Sequence, residues 1–299
     1  MQALTGILPP LPTAFRSNGS LYPEKMQENI RALSAFPLTG FLILGSNGEL
    51  VMLSEKEKAA TYHAAREAIA PDKLMLAGTG EESTRATIYL TKEAGKAGAD
   101  AALVLNPAYY KGQMSSEALV GHYHAVADAS TIPVIIYNMP SNTGLDMTAE
   151  TILSISSHPN IIGLKDSGGN LAKMGAIIGQ AKKGFRVLAG SAGFLLPALS
   201  TGASGGILAL ANIAPAYCCS IFEYFGQGAH DKARIIQHRI ITANAAVTRQ
   251  WGVPALKAAM DHLGLYGGPA RKPLLPVSDK NRKQLVQILQ DAGIDSFLK

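Results

Sequence analysis

Short apolar runs alternate along the chain with longer segments that have helical periodicity. The runs are continuous rather than alternating, as expected for parallel strands buried on both faces. Helix-like segments such as Ser54–Ile69, Ser83–Ala97, Ser115–Ala129 and Thr148–Ser157 separate them, and several begin at a serine or threonine that can cap a helix. The eight apolar runs are Gly6–Phe15, Gly40–Ser46, Lys73–Gly80, Ala101–Pro107, Pro133–Pro140, Ile161–Ser167, Phe185–Ser191 and Gly205–Asn212.

Eight strand–helix repeats predict an α/β fold, the closed (β/α)₈ TIM barrel. An open doubly wound sheet is the alternative, but no G-x-G-x-x-G or phosphate-loop motif follows a strand. Further helices are predicted near Ala229–Thr248, Pro254–Leu263 and Asp279–Asp291. We therefore predict one domain, with the barrel in residues 1–228 and a C-terminal helical extension in residues 229–299.

Composition limits the functional class. Of the 299 residues 47% are hydrophobic and 16% are charged, which predicts a large core and extra buried surface, and so an oligomer. The net charge of +5 contains no basic block, so we expect no nucleic-acid partner; the mild positive charge is compatible with an anionic small substrate.

The sequence indicates a protein of a reducing, cytoplasmic compartment. Its two cysteines, Cys218 and Cys219, are adjacent and cannot form a disulfide framework. No signal peptide or transit peptide is recognisable at the N-terminus. The uncharged stretch from Val187 to Phe222 is interrupted by glycines and prolines, so we expect no membrane span.

Lys165 is the most informative single residue. It lies at the end of the apolar run Ile161–Ser167, where loss of hydration favours the neutral amine. A neutral amine can attack a ketone and form a Schiff base. The structural alternative is an edge lysine whose ammonium group reaches solvent.

Two other strand ends carry polar groups that suit a site at the carboxyl edge of a barrel. The loop Gly45-Ser46-Asn47-Gly48-Glu49 can turn backbone amides toward an anion, although a plain strand–helix turn explains it equally well. Tyr137 can transfer protons if a neighbouring cation or hydroxyl lowers its pKa, or it is a buried tyrosine with one hydrogen bond.

Two further motifs are rejected. The G-x-S-x-G motif of serine hydrolases is matched by Gly202-Ala203-Ser204-Gly205-Gly206. In those enzymes the motif follows a strand, whereas here it precedes a predicted strand, so we predict no serine hydrolase. His122 and His124 are two residues apart within a predicted helix, so they do not share a helix face and predict no metal site.

The three strand-end motifs, G-S-N-G-E, Y-N-M-P-S-N-T-G and G-L-K-D-S, occur together in this order. In this the whole chain resembles the dihydrodipicolinate synthase/N-acetylneuraminate lyase family of pyruvate-dependent class I aldolases. Within the family it is most similar to members that cleave 4-hydroxy-2-oxoglutarate. The supporting stretches are residues 45–49, 107–112, 142–144, 165–169, 188–194 and 244–249.

Two departures from the synthase pattern bear on the substrate. The synthase has two threonines where this chain has Ser46 and Asn47, and an arginine, which grips the second substrate's carboxylate, where this chain has Asn142. Loss of that guanidinium fork disfavours a role in lysine biosynthesis. The resemblance also leaves open a synthase-like condensation, cleavage of 2-keto-3-deoxy sugar acids, and dehydration or deamination of keto acids. A non-catalytic keto-acid sensor is a more distant alternative.

The resemblance implies roles for named residues. Lys165 would form the iminium, Tyr137 would take the substrate hydroxyl proton, and Ser46 would relay protons together with Tyr110 from a neighbouring subunit. The backbone amides of Ser46 and Asn47 would hold the pyruvyl carboxylate.

The remaining implied site residues shape the pocket. Gly190 and Ile207 would line it, Ser167 would lie near the leaving aldehyde, and Asn142 would face the second substrate. The resemblance implies no metal and no organic cofactor, with pyruvate and glyoxylate as small-molecule partners. It also implies a homotetramer built as a dimer of tight dimers.

Overall fold

A computed structural model describes residues 4–297, in which eight parallel strands form one sheet with each strand beside the next along the chain. β1 pairs with β8, and the sheet closes where the Thr39 and Leu42 amides donate to the Ile7 and Pro9 carbonyls, each at 3.0 Å. The predicted (β/α)₈ TIM barrel is confirmed. The strands are β1 Gly6–Leu8, β2 Gly40–Ile43, β3 Leu74–Gly78, β4 Ala101–Leu105, β5 Val134–Asn138, β6 Ile161–Asp166, β7 Arg186–Ala189 and β8 Gly205–Ile207.

Helices follow the strands and cover the outside of the sheet, and three more helices come after the last repeat. Ser54 begins α2 as a cap, as predicted, and forms a capping box with Glu57. The α-helices are α1 Pro23–Leu33, α2 Glu55–Ala68, α3 Thr84–Lys96, α4 Ser116–Ala129, the short α5 Pro140–Thr143, α6 Ala149–Ser156, α7 Leu171–Gln180, α8 Leu195–Ser200, α9 Pro215–Gly226, α10 His230–Ala245, α11 Gly252–His262 and α12 Asp279–Asp291.

Several predicted elements are longer than the observed ones. β1 ends at Leu8 because Pro9 and Pro10 have no amide hydrogen to donate to a sheet. The run after β8 continues as a 3₁₀ turn over Ala209–Asn212, so Asn212 lies beyond the end of the strand. It is fully buried and donates to the Pro10 and Ala209 carbonyls. The predicted helix to Thr248 ends as an α-helix at Ala245, where a π-helical turn begins.

The sheet separates two apolar cores. Side chains alternate along a strand, so one set fills the barrel interior and the other packs under the helices. The interior set includes Leu8, Leu42 and Ile135 and, at the carboxyl end, Tyr137. This alternation directs Tyr137 into the barrel rather than toward the helices.

The boundary predicted between the barrel and its extension lies in the connection from α9 to α10. The treatment of the chain as one domain stays a prediction. Cys218 and Cys219 are both buried free thiols, and burial raises the pKa of each. Across residues 4–297, no helix combines the length and apolar character that a membrane span requires.

Candidate active site

Lys165 and Tyr137 lie side by side at the carboxyl end of the barrel. They are directly paired in the register of β5 and β6, so their side chains point to the same side of the sheet. Lys165 Nζ lies 4.1 Å from the centroid of the Tyr137 ring, and each residue is only 4% exposed. An amine and a phenol are thus held in contact in a place largely shielded from water.

Ser46 completes this group from the loop after β2. Its Oγ lies 3.4 Å from the Tyr137 hydroxyl. Burial raises the pKa of Tyr137, but the charge of Lys165 and the polar side chains of Ser46, Ser167 and Lys165 close to its hydroxyl outweigh burial and lower the pKa overall. The hydroxyl of Tyr137 is therefore prepared to exchange a proton, as a general acid or base requires.

The loop that carries Ser46 has an unusual backbone. Leu44 and Glu49, at its two ends, both have φ of 57°, a left-handed conformation that costs about 1–3 kcal/mol for a residue with a side chain. Between them, Ser46 and Asn47 begin a short 3₁₀ turn, so their amides have no acceptor within that turn. The strain marks this loop as a segment held in place by its surroundings.

Ser167 and Gly190 meet on the opposite wall. A Cβ atom at Gly190 would lie 2.0 Å from Ser167 Oγ, so only glycine leaves room for that hydroxyl. Ser167 Oγ is buried and has no hydrogen-bond partner within 3.5 Å in the described chain, although it is near enough to Tyr137 to lower its pKa. Its hydrogen remains available to a bound molecule.

A cavity of about 610 Å³ opens above these groups. Eight of the nine residues predicted for the site line it, namely Ser46, Asn47, Tyr137, Asn142, Lys165, Ser167, Gly190 and Ile207. Tyr110 does not: it is 67% exposed and stacks edge to face on Tyr109, with ring centroids 5.0 Å apart. Within one chain the structure brings together every predicted site residue except Tyr110.

The cavity also has a wall that the sequence did not predict. Residues of the C-terminal extension form it, including Asn244, Thr248 and Arg249. Arg249 belongs to the π-helical turn Ala246–Gln250, and such turns are frequent at functional sites. The expectation that a barrel's site lies at the carboxyl ends of its strands does not include this segment, which follows the last strand. In the sequence, the segment was marked only as one of the stretches that carry the family resemblance.

A buried polar network supports the strand ends behind the site. The Asn138 side-chain amide donates to Asp166 at 3.0 Å and to Asp146 at 2.7 Å. Lys173 pairs with Asp146 and lies 3.3 Å from Asp166, which is fully buried. Asn138 and Asp166 directly follow the tyrosine and the lysine of the site, so this network fixes the ends of β5 and β6.

The two histidines do not form a metal site. The ring of His122 contacts the Thr84 hydroxyl at 3.0 Å, and burial lowers its pKa to about 4. His124 instead contacts the Ile155 carbonyl at 3.2 Å. In residues 4–297 no group of three or more His, Cys, Asp or Glu side chains is arranged to hold a metal ion. The expected independence from cofactors stays a prediction.

Comparison with known protein families matches residues 3–292 to the dihydrodipicolinate synthetase family. The chain belongs to this family. It is therefore an enzyme of the pyruvate-dependent lyase and aldolase type, as the sequence predicted.

Named relatives carry two different activities. A probable mitochondrial 4-hydroxy-2-oxoglutarate aldolase of Emericella nidulans is 37% identical over 292 residues, which cover 96% of this chain and 94% of the relative. A 4-hydroxy-tetrahydrodipicolinate synthase of Methanothrix thermoacetophila is 32% identical and covers 95% of each chain. The family is thus shared, while the reaction of its members differs.

The fold is shared with solved structures. The prophage protein YagE of E. coli K12, a member of the dihydrodipicolinic acid synthase family solved in complex with pyruvate, superposes with a TM-score of 0.92 at 30% identity. The superposition covers 97% of this chain and 99% of YagE.

Proposed function

We propose that this protein is a Schiff-base aldolase that cleaves 4-hydroxy-2-oxoglutarate into pyruvate and glyoxylate. The observation that carries the proposal is the buried lysine–tyrosine contact at the floor of the cavity. Of the ion pairs in the described chain, none includes Lys165, so no carboxylate holds its amine as a fixed ammonium ion. Such an amine is available for attack on a ketone.

The reaction follows from these positions. Lys165 Nζ attacks the C2 carbonyl, and loss of water leaves an iminium that withdraws electrons from the C3–C4 bond. Tyr137 takes the proton of the 4-hydroxyl group, the bond breaks, and glyoxylate leaves with its new carbonyl at C4. The remaining enamine is protonated at C3, and water then releases pyruvate and restores the amine. Ser46, 3.4 Å from the tyrosine hydroxyl, relays the proton.

The charge of the cavity supports a substrate with two carboxylates. Its lining residues include two basic side chains, Lys165 and Arg249, and no Asp or Glu. The amides of Ser46 and Asn47 suit the C1 carboxylate next to the reacting ketone. Arg249, on the far wall, suits the C5 carboxylate that becomes part of glyoxylate, and Asn142 is left as a neutral neighbour.

The other lining residues have simpler roles in this proposal. Ser167 donates its free hydroxyl hydrogen to the leaving aldehyde. Gly190 and Ile207 form the walls, and Gly190 keeps space for the serine. No metal ion or organic cofactor is required, because the iminium itself accepts the electron pair.

We extend the proposal to the assembly, a homotetramer built as a dimer of dimers in which Tyr110 enters the site of a second copy. A second cavity of about 490 Å³ adjoins the first, since Ser46, Tyr137 and Asn142 line both. The exposed pair Tyr109–Tyr110 and Val51, 79% exposed, supply the apolar surface for such contact. Cytoplasmic location stays a prediction; the Emericella nidulans relative is named as mitochondrial.

A synthase-like condensation is the second candidate, because the Methanothrix thermoacetophila relative has that activity in its name. It needs a group that grips the carboxylate of the second substrate, and Asn142 provides no cation where the synthase pattern has arginine. Product analysis separates the two reactions, since only aldol cleavage releases both pyruvate and glyoxylate from 4-hydroxy-2-oxoglutarate.

The deciding experiment is reductive trapping. The full-length protein is mixed with pyruvate and borohydride, and the modified peptide is identified by mass spectrometry. We expect one adduct, on Lys165, and none in the Lys165→Ala variant. Lys96→Ala, at an exposed surface lysine, is the control and should be trapped like the wild type. Trapping that survives in Lys165→Ala would overturn the assignment of the nucleophile.

A further inference from the structure

The loop Leu44–Glu49 adopts a backbone that its own residues do not favour. Leu44 is a bulky residue with positive φ, which is a rare conformation, and Glu49 repeats it at the other end. The Leu44 carbonyl packs so closely on Gly78 that a Cβ atom there would lie 2.0 Å from the oxygen. The conformation therefore depends on contacts made from outside the loop.

The Glu49 carboxylate makes such contacts deep in the protein. Glu49 is 3% exposed, and its Oε1 lies 2.6 Å from Nζ of Lys257, a residue only 1% exposed. Its Oε2 accepts a hydrogen bond of 2.7 Å from the backbone amide of Arg271. Burial lowers the pKa of Lys257, while the charge of Glu49 opposes this change. Both carboxylate oxygens are thus held by groups of the C-terminal extension.

Arg271 fastens the same extension to the barrel around the loop. Its guanidinium binds both carboxylate oxygens of Glu57 on α2, and donates to the carbonyls of Met52 at 2.9 Å and Gly19 at 2.6 Å. The Lys257 ammonium and the Arg271 guanidinium lie 4.5 and 4.4 Å from the centre of the Phe15 ring. We call Glu49, Glu57, Lys257 and Arg271 the loop clamp.

We infer that Glu49 and Lys257 are positioning residues, through which the C-terminal extension holds the strained loop and so places Ser46 against Tyr137. The inference rests on the proposed function, in which this loop carries the proton relay and the carboxylate-binding amides. Neither Glu49 nor Lys257 lines the cavity, so both act through the loop. The buried pair is the link because it grips Glu49, the residue at which the strained segment ends.

The test compares three full-length variants. Lys257→Met removes the cation and leaves a buried carboxylate, whereas the double variant Lys257→Met/Glu49→Gln removes both charges and keeps an acceptor for the Arg271 amide. Lys257→Arg keeps a cation in the pair. Arg66→Met is the control, because it breaks an ion pair with Asp100 at the amino end of β4, far from the loop along the strand.

Two kinds of measurement separate positioning of the loop from general stability of the fold: the kinetics of trapping and turnover, and hydrogen exchange in the loop. In the double variant we expect the pyruvate concentration for half-maximal trapping on Lys165 to rise about tenfold and turnover to fall about tenfold or more, because small displacements of catalytic groups are costly. Hydrogen exchange in a peptide spanning residues 44–53 should accelerate about tenfold, since the loop opens locally. Lys257→Arg keeps a cation beside Glu49, so its kinetics and its loop exchange should differ less from the wild type than those of the double variant. Arg66→Met should change neither the kinetics nor the loop exchange.

The outcomes distinguish the two proposals. A folded double variant with wild-type kinetics and wild-type loop exchange overturns the positioning role. If the wild type itself forms no adduct with pyruvate, the proposed function fails, and hydrogen exchange alone still decides whether Glu49 and Lys257 hold the loop.

Discussion

Two buried lysines of this barrel have opposite surroundings. Lys257 is 1% exposed and is neutralised by Glu49 at 2.6 Å, with a further hydrogen bond of 2.8 Å to the Pro269 carbonyl. Lys165 is 4% exposed, is included in no ion pair of the described chain, and faces a cavity beside a tyrosine ring. The two lysines are therefore almost equally buried, and the groups in contact with each amine decide what it can do.

The difference in surroundings gives one lysine a structural role and the other a chemical role. A buried cation with a carboxylate at contact distance is a fixed charge, and removing one partner leaves the other uncompensated. A buried amine that faces a cavity beside a phenol ring, with no carboxylate paired to it, can serve as a nucleophile toward a bound ketone. The two environments meet in one short loop, which gives Ser46 to the site and Glu49 to the clamp.

The strongest test of this contrast removes the titratable neighbour of Lys165. Tyr137→Phe should lower turnover of 4-hydroxy-2-oxoglutarate by a factor of about 10²–10⁴, the usual contribution of general acid–base catalysis. The Schiff base should still form, though more slowly, because the amine remains. Steady-state kinetics and borohydride trapping measure the two effects separately.

Tyr123→Phe is the matched control for that variant. Tyr123 is also fully buried, but its hydroxyl makes only a structural hydrogen bond of 2.9 Å to the Val104 carbonyl, and burial raises its pKa. We expect it to change stability and leave turnover close to wild type. Near-wild-type turnover in Tyr137→Phe would contradict the acid–base role and would leave Tyr137, like Tyr123, with a structural role.

The site lysine and tyrosine could be predicted from the sequence because local rules determine their position. Apolar runs specify parallel strands, the carboxyl ends of neighbouring strands meet at one edge, and residues at matching positions then lie together. Lys165 and Tyr137 satisfy that rule by direct register. The capping box of Ser54 with Glu57 was equally predictable, since both partners lie within one turn.

The clamp and the far wall could not be predicted in this way. Glu49 and Lys257 are separated by most of the barrel in sequence, and their pairing depends on where the fold places Lys257 of α11 relative to the loop. Arg249 reaches the cavity through a π-helical turn, which has no distinct hydrophobic period. Strand lengths were overestimated where prolines, as after β1, ended the pairing but not the apolar run.

Arg249→Met tests whether the cavity selects a second carboxylate. The half-saturating concentration of 4-hydroxy-2-oxoglutarate should rise by a factor of about 10–100, because a charge-assisted hydrogen bond contributes roughly 1.5–3 kcal/mol. Trapping with pyruvate, which has no second carboxylate, should be unchanged. Arg234→Met on α10, where an exposed arginine pairs with Asp231, serves as the control. If Arg249→Met weakens the interaction with 4-hydroxy-2-oxoglutarate and with pyruvate equally, Arg249 supports the whole site and does not bind the second carboxylate.

The smallest effect is expected at the outer edge of the clamp, where Glu57 pairs with Arg271. The hydrogen bond from Arg271 lowers the pKa of Glu57 to about 2, although burial opposes this. A carboxyl group with a depressed pKa stabilises the fold fully above its ordinary value near 4.5, and loses that contribution as the pH falls toward 2. Its side chain is 30% exposed, so solvent screening limits the contribution to about 1 kcal/mol.

Glu57→Gln should therefore lower the free energy of unfolding by about 1 kcal/mol at pH 7, and the difference from wild type should shrink steadily below pH 4.5. Glutamine still fits the capping box, so the start of α2 is preserved. Urea denaturation measures the effect without adding salt, and Glu24→Gln, at an exposed pair, is the control. Turnover should stay at the wild-type level, because the buried Glu49–Lys257 contact, rather than Glu57, grips the loop. A pH-independent difference would mean that the pair stabilises the fold through packing alone.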